Sequence, residues 1–212
     1  MIKAIIFDVD GVLSVDKPIL HARHDAMYYA ISKKYKISFS DAKKKYSNSK
    51  LNLPEYKKHT SVYKLGSLGF SREEFFDIIN DVDQSKAVFP NENLLSTLRK
   101  LKDKFILVAY SNTPEIATLK TLNQLRIRDS FTKVFCADHF DESKPSKRNL
   151  LKILKEVKLK KEEVIILGNS LEKDILPARQ LGIKAILFDD VGKYKNPEPP
   201  VIYDLIEIFN YL

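Results

Sequence analysis

One cysteine in 212 residues has no partner for an internal disulfide, so packing and hydrogen bonds must hold the fold. Cys136 stands in Val134-Phe135-Cys136-Ala137, where it reads as a small buried hydrophobe in a strand. No apolar run approaches the roughly 18–20 residues that span a bilayer. The first residues also lack the apolar core of a secretory signal, because acids sit at positions 8 and 10. A cytoplasmic protein without a membrane partner is expected. There is no internal repeat and no low-complexity stretch. Lys and Arg number 36 against 28 Asp and Glu, a net charge of +8, but the cations come in short groups such as Lys33-Lys34, Lys43-Lys44-Lys45 and Lys160-Lys161. No aromatic-and-basic pattern marks a nucleic-acid site, so a solvated surface is expected and nucleic acid is not an expected partner.

With 44% hydrophobic residues, the chain can bury a sizeable core as one large domain or as a domain with an insert. Five short runs rich in Ile, Val and Phe are expected as strands, at 3–8, 105–110, 134–137, 164–167 and 184–188. Helical patterns lie between the later ones: Leu94, Leu95, Leu98 and Leu101, then Leu150, Leu151, Leu154 and Val157, then Ile175, Ala178 and Leu181 closed by Gly182. Thr113-Pro114-Glu115 predicts a helix capped by Thr113 with proline in its first turn. Such alternation calls for an α/β fold, a parallel sheet with helices on both faces. Residues 16–87 break the pattern. Met27, Tyr28, Ile31 and Tyr35 make one helical stripe. Phe75, Phe76, Ile79 and Val82 make another, opened by Ser71 with Glu74 as a capping box. An all-helical insertion over 16–87 is expected, with residues 1–15 and 88–212 forming the core domain. Lys17-Pro18 and Ala87-Val88-Phe89-Pro90 are the expected crossings, with Asp16 exposed in the first.

In an open α/β sheet, ligands bind beyond the carboxyl ends of the strands. The first strand runs through Ile5-Ile6-Phe7 into Asp8-Val9-Asp10-Gly11. If strand geometry persists, side chains two apart share a face, and both carboxylates are aimed at one point. Such a pair suits divalent-metal binding, nucleophilic attack and proton transfer. The second strand exits into Ser111-Asn112-Thr113 at a helix N-terminus, which favours anions. Asp141-Glu142-Ser143-Lys144-Pro145 follows the third strand and sets a lysine before a helix. Gly168-Asn169-Ser170 follows the fourth, with Asp174 beyond. These residues on one rim can hold a dianionic phosphate and a metal ion.

In order and spacing, these segments resemble the haloacid dehalogenase superfamily of hydrolases, in its phosphatase branch with a helical cap. The resemblance covers the whole chain. It implies a Rossmann-like core, a cap formed by the inserted helices, and a reaction through an aspartyl-phosphate. Asp8 would attack phosphorus, and Asp10 would protonate the leaving alcohol and then activate water. Ser111, Lys144 and the backbone of Asn112 would bind the phosphoryl oxygens. Mg²⁺ would be held by Asp8, the Asp10 backbone carbonyl, Asn169 and Asp174. The family usually has Asp where this chain has Asn169, which implies weaker metal binding. Asp10 favours phosphate esters over halides, since a departing halide needs no proton. The expected substrate is a small phosphorylated metabolite. A phosphosugar mutase is the alternative within the same chemistry, and a non-catalytic phosphate- or nucleic-acid-binding protein is the alternative outside it. A monomer or homodimer is expected. His21, Arg23 and His24 lie near the first crossing, within reach of the site or as structural residues. The tyrosines at 28, 29, 35, 46, 56 and 63 are expected as core and surface of the insertion.

Overall fold

The structure is a computed structural model in which residues 1–14, 17–49 and 60–212 are described. Asp16 and Tyr56 therefore lie outside the described residues. The chain divides into two compact units, Met1–Val15 with Phe89–Leu212, and Asp16–Val88.

The first unit is built on a six-stranded sheet ordered β3-β2-β1-β4-β5-β6, with every pairing parallel. The strands are β1 (Ala4–Asp8), β2 (Ile106–Tyr110), β3 (Lys133–Phe135), β4 (Val164–Gly168), β5 (Lys184–Phe188) and β6 (Val201–Ile202). Parallel strands covered on both faces need apolar residues at successive positions rather than alternate ones. Ile5, Ile6 and Phe7 of β1 and Val164, Ile165, Ile166 and Leu167 of β4 are accordingly all buried. One face packs on Leu150, Ile153 and Leu154 of the helix Lys147–Val157. Leu151, one position round from that stripe, is exposed rather than part of it. Leu94, Leu95, Leu98 and Leu101 are all buried in the helix Glu92–Lys102.

Sheet order reverses at β1, whose neighbours are β2 and β4. Asp8 pairs with Tyr110 in register, and Phe7 pairs with Leu167. The carboxyl ends of these three strands therefore form one rim at the topological switch point, where open α/β sheets bind ligands. Three local details differ from expectation. β3 stops at Phe135, leaving Cys136 just past the strand, although it is fully buried. The helix after Ser111 begins at Glu115 with Pro114 as its N-cap, because Pro114 is extended (ψ 155°) and Thr113 is engaged elsewhere. The segment through Ile175 and Ala178 is a π-turn, Leu171–Ile175, running into the short helix Leu176–Gln180. Pro177 lacks an N–H and crowds the carbonyl four residues back, so a regular helix cannot run through it.

The second unit is helical among its described residues: Lys17–Tyr35, Phe39–Ser47, Ser61–Ser67 and Arg72–Asn80. Met27, Tyr28 and Ile31 are buried, while Tyr35 is at the edge and donates its hydroxyl to the Leu68 carbonyl at 2.9 Å. Tyr28 packs edge-on against Tyr46 and Phe39, and His24 stacks on Tyr28. The Ser71–Glu74 capping box is formed, with bonds of 3.1 and 2.6 Å.

Candidate active site

β1 ends at Asp8, so Asp10 owes its direction to a turn and not to strand alternation. The turn closes on itself: Leu13 and Ser14 N–H donate to the Val9 carbonyl, and Gly11 N–H donates to the Ser14 carbonyl at 2.7 Å. Gly11 has φ +91°, and a Cβ there would lie 1.8 Å from the Asn169 side-chain nitrogen. Glycine is required by conformation and by space. The same contact puts the Asn169 amide directly against the loop that carries Asp10.

Lys144 is the hub of the rim. Its ammonium, on a residue only 3% exposed, donates to Asp8 Oδ1 at 2.8 Å and to Asp174 Oδ1 at 2.9 Å. It also sits 4.4 Å from the ring centre of Tyr110, whose quadrupole favours a cation. Burial works against its charge, but Asp174 and Asp8 more than offset this and raise its pKa. Asp8 is pushed up to about 7, by burial first and then by repulsion from Asp174 and Asp10, against the pull of Lys144. Asp174 lies on the π-turn, tight against Gly168, and accepts the Ser170 N–H at 3.2 Å. A wide turn of this kind re-aims a single side chain and is frequent at functional sites.

Asp10 has different partners. Its Oδ2 accepts from the Thr113 hydroxyl at 2.7 Å and the Ser111 hydroxyl at 3.3 Å. Asn112 braces the lysine loop: its amide donates to the Lys144 carbonyl and accepts the Lys144 N–H at 2.6 Å. Its side chain thus positions Lys144. The helix N-terminus expected to receive an anion already holds one, because the Glu115 N–H donates to Asp138 Oδ2 at 2.6 Å.

Within one unit, Asp8, Asp174 and Asn112 thus meet at Lys144, Asp10 meets Ser111, and Asn169 lies against Gly11 of the loop that carries Asp10. Sequence reasoning missed Thr113, although it stands two positions beyond Ser111. It also missed Tyr110 beneath Lys144. Asp189 was missed too: its carboxylate accepts from the Lys193 and Tyr194 N–H groups and sets Tyr194 against the Asn169 carbonyl at 3.4 Å.

Among the described residues, no three His, Cys, Asp or Glu side chains form a ready-made metal cluster. A Mg²⁺ ion asks for less, since it keeps waters and uses one or two carboxylates beside substrate phosphate. The acids here, the Asn169 amide and nearby carbonyls are all hard oxygen donors. The repulsion that helps raise Asp8 is a burden that a cation relieves. The residues fit such an ion.

Residues 5–188 match the haloacid dehalogenase-like hydrolase family, and the chain belongs to that family and is a hydrolase. A glyceraldehyde 3-phosphate phosphatase of Methanocaldococcus jannaschii is 29% identical over 211 residues, covering 93% of this chain and 89% of that protein. A HAD phosphatase from Thermococcus onnurineus shares the fold with a TM-score of 0.74 at 22% identity, covering 99% and 97% of the two chains. A 2-haloacid dehalogenase from Pseudomonas syringae pv. Tomato DC3000 shares it at 0.68 and 20%, with 99% and 97% coverage.

Proposed function

We propose that this hydrolase is a Mg²⁺-dependent phosphatase that cleaves a phosphomonoester of a small metabolite through an aspartyl-phosphate. The observation that carries the reading is the contrast between its two neighbouring acids. Asp8 rests on a buried ammonium at 2.8 Å, while Asp10 rests on two hydroxyls. Different environments divide two carboxyls into different roles. Lys144 and the Val9 N–H, at 2.8 Å, both hold Asp8 Oδ1, which turns Oδ2 to the attack on phosphorus. Asp10 gives its proton to the departing alcohol and later takes one from the attacking water. Ser111, Lys144 and the Asn112 backbone bind the phosphoryl oxygens, where transition-state charge is spread.

Asp8, the Asp10 backbone carbonyl, Asn169 and Asp174 would hold Mg²⁺. When bound, the ion shields the repulsion between an anionic nucleophile and an anionic phosphate. The helical unit is the proposed cap and selector of small substrates. Among the described residues no helix is long and apolar enough to cross a membrane, in keeping with a cytoplasmic, metabolite-directed enzyme. The Methanocaldococcus relative makes glyceraldehyde 3-phosphate the first substrate to try.

The test is phosphate release from a panel of phosphorylated metabolites, with Mg²⁺ and with chelator, for wild type and Asp8→Asn. Metal-dependent release that vanishes in the variant is expected. Isomerised sugar phosphate without free phosphate would turn the assignment to a mutase. No turnover of either kind would refute the catalytic reading.

A further inference from the structure

We propose that Thr113 is a positioning residue for the Asp10 acid, a role that rests on the phosphatase reading and extends it. Its hydroxyl makes the shorter of the two bonds to Asp10 Oδ2, 2.7 Å against 3.3 Å from Ser111. Thr113 is itself pinned. Its N–H donates to Ser111 Oγ at 2.9 Å, and its carbonyl accepts from the Ala137 N–H at 3.2 Å and the Thr118 hydroxyl at 3.1 Å. Pro114 follows, which keeps Thr113 out of the helix and leaves its hydroxyl to a side-chain partner.

Ser111 cannot do the same work during catalysis. A hydroxyl has one proton to donate. Once Ser111 turns that proton to a phosphoryl oxygen, it no longer donates to Asp10, whereas Thr113 still does. Thr113 therefore keeps its hold on the Asp10 carboxyl while that carboxyl delivers its proton. In the first step the Asp8 oxygen–phosphorus bond forms, the phosphorus–alkoxide bond breaks, and the Asp10 proton goes to the departing oxygen. Positioning of the Asp10 carboxyl therefore matters most for a basic leaving group. An aryl oxide that leaves well asks little of the acid.

Leaving-group dependence supplies the test. Values of kcat/KM, which report the step that forms the aspartyl-phosphate, are compared for glyceraldehyde 3-phosphate and p-nitrophenyl phosphate with Mg²⁺. For Thr113→Val, the loss on the alkyl ester should exceed the loss on the aryl ester by about tenfold or more, a fraction of what general acid catalysis supplies. Thr113→Ser, which keeps the hydroxyl, should restore the alkyl-to-aryl ratio to within about twofold of wild type. If the valine variant does not fold, Thr113→Ala against Thr113→Ser makes the same comparison. Equal losses on both esters, or a serine variant with its ratio as disturbed as that of valine, overturn the proposal while leaving the phosphatase standing. A wild type that hydrolyses neither ester overturns both.

Discussion

Lys144→Met removes the ammonium from the centre of the site while keeping most of the side chain's length. Asp8 and Asp174, whose side chains are 12% and 3% exposed, lose a shared partner at 2.8 and 2.9 Å. Breaking a buried ion pair by deleting one member typically costs about 3–5 kcal/mol, because the remaining charge is stranded. That cost applies at pH 8, above the value near 7 at which Asp8 ionises with the lysine in place. Without the lysine that value goes higher. A group raised in the folded state stabilises fully below its unfolded value, near 3.8, and that stabilisation is lost as pH rises through the folded value. The penalty of Lys144→Met should therefore shrink towards about 1–2 kcal/mol at pH 5, where Asp8 can stay neutral. Urea unfolding at pH 5, 6.5 and 8 in EDTA measures it. Adding Asp8→Asn should recover about 1–3 kcal/mol at pH 8 by removing one stranded charge. A loss below about 1 kcal/mol at pH 8, or the same loss at pH 5, would show that Lys144 is not the electrostatic keystone argued here.

Asn169→Asp restores a formal charge beside the proposed ion and should tighten Mg²⁺ by about 1 kcal/mol or more; the Mg²⁺ activation constant and the Mg²⁺-induced shift in Tm both read it, and no gain would mean that Asn169 does not face the ion. Gly11→Ala forces a Cβ to within 1.8 Å of the Asn169 side chain at φ +91°, and should cost about 1–3 kcal/mol in thermal unfolding while raising the Mg²⁺ needed for activity. In the helical unit, Ser71→Ala deletes one half of the capping box and should cost about 1 kcal/mol; an unfolding midpoint unchanged in urea would contradict the cap's contribution. Asp10→Asn removes both proton transfers, so with p-nitrophenyl phosphate it should release a burst of nitrophenol near one per enzyme and then turn over slowly, and steady turnover at the wild-type rate would take the acid–base role away from Asp10.

What the chain revealed in sequence was what local pattern encodes. Buried parallel strands need unbroken apolar runs, and those runs are visible in Ile5-Ile6-Phe7 and Val164-Ile165-Ile166-Leu167. The residues of the candidate site follow them at or beyond the strand ends, so Asp8, Ser111, Lys144 and Asp174 could be marked as candidates without coordinates. β6 escaped because two residues after Pro199-Pro200 are too short for a periodicity. The π-turn escaped because Ile175, Ala178 and Leu181 keep helical spacing. Pro177 carried the contrary signal. Thr113 escaped for a different reason. Its pattern fits a helix cap, and only the tertiary approach of Asp10 assigns its hydroxyl elsewhere.

Topology cannot choose the leaving group. The fold matches that of a phosphatase with a TM-score of 0.74 and that of a haloacid dehalogenase with 0.68, too similar a pair of values to separate carbon–halogen from phosphorus–oxygen cleavage. A nucleophilic carboxylate beside a buried lysine serves either reaction. The distinction must come from what happens to the departing group: a halide leaves as a stable anion, whereas an alkoxide needs a proton. An acid that supplies one is best placed near the nucleophile yet not bonded to the same ammonium, since an opposite charge favours the ionised form of a carboxyl. The turn after β1 achieves this separation. By ending the strand at Asp8 and reversing the chain through Gly11, it takes Asp10 away from Lys144 and onto Thr113 and Ser111. The departure from strand geometry, which defeats the simplest reading of Asp8-Val9-Asp10, is thus what lets two carboxyls two residues apart take different parts in the phosphatase reaction proposed here.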